Sequence, residues 1–472
     1  MWQKESKCEK LYIEEQIMIE EIVQNQRLYF LEGHTRPLEA RIEVLKKLRQ
    51  ILLEMSEEIY SAFKLDYNKC AFDVISTEYS LVIQEIDFML KHLRRLVKPR
   101  RVATSLVNII SSGYIMKEPY GVTLVMSPWN YPLQLSMTPV VASLAAGNTV
   151  VLKPSKYAWN ISLVLEKIAS KFDERLFKVV VGGREENQAL LNQHFDFIFF
   201  TGGDDVGRVV LEKASKNLTP VILELGGKSP CIVCEDADID LAAKRITWGK
   251  YLNAGQTCVA PDHIYVHESI KSKFISRVID NIQRFYYRDG NITEDFPAII
   301  NDKHVERLAG LIDKNKTIFG GHINRETRVI EPTIMDNVTY EDAIMQEEIF
   351  GPIMPILNFQ KIDDLLKTFK TLEKPLAFYL FTKNKNEAMR VMDIVSYGGG
   401  CINDTIMHLT NDNLPFGGVG RSGMGSYHGQ KSFDAFTHEK SVLRKAKMEL
   451  PLKYPPYNQA KMNFIKWFFK IK

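Results

Sequence analysis

The chain of 472 residues is short of several things, and each shortage removes a class of protein. Six cysteines, at positions 8, 70, 231, 234, 258 and 401, are too few and too scattered to staple a chain of this length, so reduced thiols in a cytoplasmic setting are expected. No apolar run approaches the ~18 residues needed to cross a bilayer, and no internal repeat or low-complexity tract stands out. Charge of one sign is scarce too. With 61 basic and 58 acidic residues the net charge is +3, far too balanced for a protein that coats nucleic acid. The first ten residues mix Lys4, Lys7 and Lys10 with Glu5 and Glu9, and Glu14 and Glu15 follow, so no apolar signal segment forms and the N-terminus is expected to stay.

Hydrophobic residues at 45% and charged residues at 25% describe an ordinary globular chain, long enough for two or three domains. After the Thr35-Arg36-Pro37 break, Leu38, Ile42, Leu45, Leu48, Leu52, Met55, Ile59 and Phe63 recur at three- and four-residue steps, which predicts one long amphipathic helix. From residue 120 the pattern becomes short apolar runs at Val122–Met126, Val150–Leu152, Val179–Val181, Phe197–Phe200 and Val221–Leu225. The intervals between them mostly suit helices. A second series follows at Cys231–Val233, Ile264–Val266, Ile353–Ile356, Phe378–Phe381 and Cys401–Ile402, with a helical segment at Ile270–Phe285. Strands alternating with helices predict an α/β fold built on parallel sheets, which bind phosphate-bearing ligands at the C-terminal ends of their strands. The stretch 98–118 interrupts the first series and suits a hairpin, with the segment 433–447 as its pairing partner.

Three spots carry chemistry. Cys258 ends Asn253-Ala254-Gly255-Gln256-Thr257-Cys258, a small-residue loop bounded by Pro261; it reads as a nucleophile or as a structural thiol. Glu224 ends an apolar strand and precedes Leu225-Gly226-Gly227-Lys228, where it is a general base or an ion-paired carboxylate. Asn130 lies between Pro128 and Pro132, placed either to donate to a developing oxyanion or simply to form a turn.

Together these motifs resemble the aldehyde dehydrogenase superfamily. The likeness runs from about Arg36 to Lys447. It rests on Pro-Trp-Asn-Tyr-Pro at 128–132, Lys153-Pro154-Ser155, Phe200-Thr201-Gly202, Glu224-Leu225-Gly226-Gly227-Lys228, Gly255-Gln256-Thr257-Cys258, Glu348-Ile349-Phe350-Gly351-Pro352 and Pro415-Phe416-Gly417-Gly418, in that order. Cys258-Val259-Ala260-Pro261-Asp262, the run Ser422–Gly429 and Lys453-Tyr454-Pro455-Pro456 look like the class 3, fatty-aldehyde branch, as does the short N-terminus before the first long helix.

The resemblance implies a Rossmann-like cofactor domain at 1–97 and 119–224, an α/β catalytic domain at 225–432, and a small β oligomerisation element at 98–118 and 433–447. A basic amphipathic tail at 448–472 would follow. It also implies a homodimer that oxidises medium- and long-chain or aromatic aldehydes to acids with NAD or NADP. Cys258 would attack the aldehyde, Asn130 and the Cys258 N–H would hold the oxyanion, and Glu224 would activate the water that releases the acid. The presence of Glu224 argues against passing the acyl group to coenzyme A. Lys153 would reach the adenosine ribose, Thr201, Gly202 and Gly207 would lie by the pyrophosphate, Glu348 would hold the nicotinamide ribose and Phe350 would pack near the nicotinamide. Asp204 and Asp205 are expected to face solvent. Where the family often carries Glu three residues after that lysine, this chain has Lys156, which predicts acceptance of NADP at least as well as NAD, with Arg184 as a minor aid.

No metal is expected. Cys231 and Cys234 lack a second pair at zinc spacing, and His408 and His428 read as structural. From Arg444 to Lys472 there are eight basic residues and one acid, Glu449, a local charge of +7. Apolar Met462, Phe464, Ile465, Trp467, Phe468, Phe469 and Ile471 interleave with lysines there. The tail is expected either to lie on an anionic membrane surface or to dock over a partner's substrate entrance, with a plain disordered tail as the third reading.

Overall fold

The computed structural model describes residues 2–105, 108, 111–447 and 451–472. Residues 106–107 and 109–110 of the expected hairpin and 448–450 of the expected tail lie outside the described residues. Two compact units emerge: Met1–Leu96 with Pro119–Thr437, and Val97–Glu118 with His438–Lys472.

Within the first unit a six-stranded sheet runs in the order Phe177–Val179, Thr149–Lys153, Val122–Met126, Phe197–Thr201, Val221–Glu224, Gly423–Met424. All neighbours are parallel except the last pair, where Gly423 registers with Glu224. The chain therefore winds outward from Val122–Met126 in both directions. The cleft between that strand and Phe197–Thr201 is the topological switch at which such sheets bind ligands. The expected strand Val179–Val181 sits two residues earlier, and Gly423–Met424, from the range expected for the catalytic domain, joins this sheet.

A second sheet of seven strands follows the order Thr317–Phe319, Thr333–Met335, Ile353–Phe359, His263–His267, Pro230–Val233, Ala377–Phe381, Gly399–Ile402. It is parallel apart from its first pair. Its strand Ala377–Phe381 is buried at every position, which is why a continuous apolar run rather than alternation marks it.

Two helical expectations need correction. The run beginning at Leu38 forms two helices, Leu38–Glu54 and Ser56–Tyr67, because Met55 leaves helical geometry at φ −99° and ψ 12°. Its N–H still reaches Ile51 and its carbonyl still accepts from Ile59, so the apolar stripe continues in phase across the break. The run after Pro37 is also not the first long helix: Trp2–Leu31 already forms one of 30 residues. Ile19 and Val23 enter the apolar cluster against Val122 and Leu124, and buried Gln26 donates to the carbonyls of Val150 (3.0 Å) and Glu174 (3.1 Å).

In the second unit Arg100–Val102 pairs antiparallel with Ser111–Pro119, which also neighbours Thr437–Lys445. Lys440 pairs with Glu118, and Lys117 with Glu439 at 3.8 Å. Residues 433–437, expected in this element, fall instead in the first unit. There Phe433 and Phe436 are buried, and the Phe436 ring packs on Phe197 and Phe199 at 4.8 and 5.8 Å. A ten-residue helix, Gln459–Phe468, lies near the C-terminus, with exposed Trp467. No helix among the described residues is long and apolar enough to cross a membrane.

Candidate active site

The loop after Val122–Met126 is fixed from below. Buried Glu78 accepts from the N–H groups of Leu133 and Gln134, both at 3.0 Å, and so caps the helix Gln134–Ala146 with a side chain from another element. Its other oxygen meets the buried Lys69 ammonium at 3.4 Å. Tyr67 donates to the Trp129 carbonyl. Asn130 is thereby held in the interior, where its amide donates to the Gln256 carbonyl at 3.1 Å; an amide carries two N–H donors, so one remains for another acceptor.

Gln256 belongs to the cysteine loop. Asn253 and Ala254 both adopt left-handed φ, 53° and 51°, costly for residues with a Cβ. The surroundings enforce it: Asn253 donates to the carbonyls of Asn130 (2.9 Å) and Gln256 (3.1 Å), and Gln256 donates to Ala298 (3.1 Å) and accepts from Ile300 (3.0 Å). Gly255 is obligatory, since a Cβ there would lie 2.2 Å from the Gly351 carbonyl oxygen. Beyond it, Tyr131 and Thr257 share a hydroxyl contact of 2.6 Å. Cys258 emerges half-buried on the wall of a cavity of about 430 Å³ lined mainly by apolar groups such as Leu135, Trp248, Ile406 and Phe416.

Burial pushes the Cys258 thiol up to about 12, and the nearby Glu348 and Glu224 carboxyls act in the same direction. The N–H groups of Cys258 and Val259 pull the other way. The resting sulfur is thus a protonated thiol. Glu224 is buried at its strand end, and neither carboxyl oxygen has a hydrogen-bond partner among the described residues. Burial therefore raises its proton affinity well above the ordinary carboxylate range.

The residues expected to meet a cofactor fall into groups along the strand ends. Lys153 ends its strand buried, its ammonium donating to the carbonyls of Pro154 (2.9 Å) and Gly182 (2.8 Å), and burial pushes it down to about 8. Lys156 is exposed, yet its chain passes beside Gly183, where a Cβ would come 3.2 Å from its Cδ. Arg184, also exposed, opens the helix Arg184–Leu191. At the switch, Thr201 is buried with its hydroxyl unpartnered among the described residues. A Cβ on Gly202 would strike the Phe200 ring at 2.6 Å, and one on Gly207 would strike Leu225 at 2.8 Å, so backbone and helix approach closely just where Asp204–Ser215 begins. A strand-end cleft with an orphaned hydroxyl, close-packed glycines and a helix N-terminus fits a dinucleotide. Asp205 faces solvent, whereas Asp204 does not: it pairs with Arg421 at 3.0 Å and Arg208 at 3.3 Å, which neutralises the acid beside that N-terminus.

Glu348 lies against Gly226, and burial, with Asp262 adding to it, pushes its carboxyl up to about 8. Phe350, at φ 49°, sets its ring edge-on to Trp129 at 5.3 Å. What anchors this segment was not expected from the motifs. Buried Asp262 accepts from the Ile349 N–H (2.8 Å) and pairs with Lys228 (2.5 Å), whose ammonium also reaches the carbonyls of Ile344 and Glu347. Arg307 holds the Ile349 carbonyl at 2.6 Å.

Cys231 and Cys234 are buried free thiols, and no cluster of metal-ligating side chains occurs among the described residues. Burial pushes both His408 and His428 down to about 4, so neither carries charge near neutrality.

Residues 5–442 match the profile of the aldehyde dehydrogenase family. The chain belongs to that family. It is 43% identical to the 4,4'-diaponeurosporen-aldehyde dehydrogenase of Staphylococcus aureus, over 96% of this chain and 99% of the relative. Aldehyde dehydrogenase family 3 member A2 of Rattus norvegicus is 41% identical, with coverage of 95% and 94%, which ties the chain to the family 3 branch. Among solved structures, the substrate-bound state of S. aureus AldH superposes with a TM-score of 0.93 at 43% identity, covering 96% of this chain and 99% of that one. The NAD+ complex of the Bacillus cereus aldehyde dehydrogenase gives 0.81 at 26% identity, covering 92% and 89%. The chain is therefore an oxidoreductase of a family that acts on aldehydes with NAD(P).

Proposed function

We propose that this aldehyde dehydrogenase oxidises medium- and long-chain or aromatic aldehydes to carboxylic acids through a covalent intermediate on Cys258. The observation that carries the reading is the half-buried Cys258 thiol on a largely apolar cavity, with the buried Glu224 carboxyl close enough to raise the thiol's proton affinity.

Cys258 passes its proton to water as its sulfur adds to the aldehyde carbon, forming a thiohemiacetal anion. The free N–H of the Asn130 amide and the Cys258 N–H are the donors for the oxyanion. A nicotinamide held by Glu348 and Phe350 would supply the hydride acceptor, and loss of hydride from the carbon on Cys258 leaves a thioester. Glu224, once ionised, takes a proton from water as the water oxygen attacks that carbon; the acid leaves and the thiol is restored. A carboxyl with no hydrogen-bond partner among the described residues is suited to this, because no such bond stabilises its anion against receiving a proton.

Lys153, Thr201, Gly202 and Gly207 would hold the adenosine ribose and pyrophosphate side of the cofactor, and Glu348 and Phe350 its nicotinamide end. Lys156, which lies against Gly183, and Arg184, the residue after that glycine, favour a 2′-phosphate, so NADP is taken at least as well as NAD. The sheet of the second unit is assigned to dimer formation. The Gln459–Phe468 helix, ~15 Å long at ~1.5 Å per residue, is assigned to peripheral contact with an anionic membrane. Liposome co-sedimentation of the full chain, against a form ending before Lys461, tests the tail; equal pelleting removes that role.

The deciding experiment measures NADH and NADPH formed with hexanal, dodecanal and benzaldehyde by wild type and Cys258→Ala. Turnover confined to the wild type is expected. Turnover by both, or by neither while cofactor still binds, overturns the reading.

A further inference from the structure

The cavity that exposes Cys258 is not apolar throughout. One wall is a helix interrupted by a π-turn at Ile75–Tyr79, and a π-turn inside a helix commonly marks a functional site. Past that turn the helix Ser80–Leu96 brings Leu81, Gln84 and Glu85 to the cavity, while Gln134–Ala146 brings Gln134, Leu135 and Thr138. Glu85 is 5% exposed and Thr138 3% exposed. Both keep an unpartnered oxygen among the described residues, Oε1 of Glu85 and Oγ1 of Thr138. The Ser432 hydroxyl and the Gly429 N–H lie close enough to the Glu85 carboxyl to draw its proton affinity down, while Oε1 stays without a partner among the described residues. Two buried, unmatched polar oxygens from neighbouring helices on one cavity are expensive unless a ligand meets them.

We propose that Glu85 and Thr138 form a hydrogen-bonding subsite on the aldehyde cavity that takes a hydroxyl carried on the substrate's hydrocarbon chain, making hydroxylated apolar aldehydes the preferred substrates. A hydroxyl both donates and accepts, as do the Thr138 hydroxyl and a protonated Glu85 carboxyl. Burial pushes Glu85 up to about 8, which keeps it protonated near neutrality, and the surrounding Leu81, Leu135, Ile406 and Phe416 offer nothing to a charged tail. The subsite selects by leaving its own oxygens unmatched when a plain alkyl chain binds, the arrangement that discriminates most strongly against a missing hydroxyl.

The inference rests on the proposed aldehyde oxidation for its kinetic readout only, and a binding readout separates the two. kcat/KM is measured for hexanal, octanal, decanal and their ω-hydroxy counterparts, and calorimetry compares n-alkanols with α,ω-diols, which bind without reacting. In wild type at least one chain length should favour the hydroxylated member by about 10-fold or more in both assays. Glu85→Gln, which keeps a donor and an acceptor, should retain that ratio. Glu85→Leu and the near-isosteric Thr138→Val should bring it close to one, and a folding failure in the first leaves the second to decide. No hydroxyl preference at any length, or a preference that survives both variants, overturns the proposal. Absent turnover with the diol preference intact would count against the oxidation reading instead and leave the subsite standing.

Discussion

Glu224 and Asp262 are both buried acids beside the ends of parallel strands, yet their surroundings drive them in opposite directions. Glu224 has no hydrogen-bond partner among the described residues, and burial raises its proton affinity well above the ordinary range. Asp262 is buried as deeply, but Lys228, the Ile349 N–H and the His263 ring surround it and hold its carboxyl well below that range despite burial. Burial alone therefore does not decide what a carboxyl does. The acid without partners is free to exchange a proton, and the acid with partners is a fixture that pins the segment carrying Glu348.

The sharpest way to break this contrast is to remove the groups proposed to react. Cys258→Ala should lower aldehyde turnover by at least about 10³-fold, and Glu224→Gln should lower steady-state turnover by ~10²-fold or more while leaving a stoichiometric burst of reduced cofactor. A full steady-state rate in Glu224→Gln would remove it as the base. Asp262→Asn belongs to the other class. It strands the Lys228 ammonium and should cost about 3 kcal/mol of stability, read as a lower melting temperature together with a raised KM for cofactor. An unchanged melting temperature would show the pair to be dispensable.

pH separates the two acids further. Folding raises the proton affinity of Glu224, so the native state holds a proton that the unfolded chain loses above its ordinary value of about 4.3. Its contribution thus turns increasingly unfavourable as pH rises, and Glu224→Gln should gain melting temperature over wild type progressively from acid to alkaline pH. Asp262, depressed on folding, stabilises above the unfolded aspartate value of about 3.9, and that benefit is lost as pH falls through its lower native value. The gap between wild type and Asp262→Asn should accordingly close only in acid. The smallest effect concerns cations. Lys153 is tied to two carbonyls, whereas Lys156 lies exposed beside Gly183. Lys156→Glu should shift the NADP/NAD ratio of kcat/KM toward NAD by about 10-fold; a strong NAD preference that the substitution leaves unmoved would dismiss Lys156 as a determinant.

What the sequence made legible follows from distance along the chain. Fully buried strands such as Val122–Met126 and Ala377–Phe381 announce themselves as uninterrupted apolar runs. The helix Trp2–Leu31 does not, because among its described side chains few beyond Ile19, Val23 and Gln26 are buried. Strands of two or three residues, such as Gly423–Met424 and Thr333–Met335, are too short to carry a period. Cys258, Glu224 and Asn130 stood in recognisable motifs. Asp262 acquires its meaning only when folding brings it to Lys228, 34 residues away, and to Ile349, 87 away. Glu85 and Thr138 are ordinary residues of helices until the same cavity meets both.

The left-handed turn before Cys258 also bears on the order of assembly. Asn253 is held by a residue 123 positions away, and Gln256 by residues 42 and 44 positions away. Closures of that separation come late, because their entropic cost is repaid only once distant segments have met. The Cys258 thiol is therefore presented on its cavity only by a chain that has already brought these distant segments together, and a half-made protein carries that thiol in an ordinary setting.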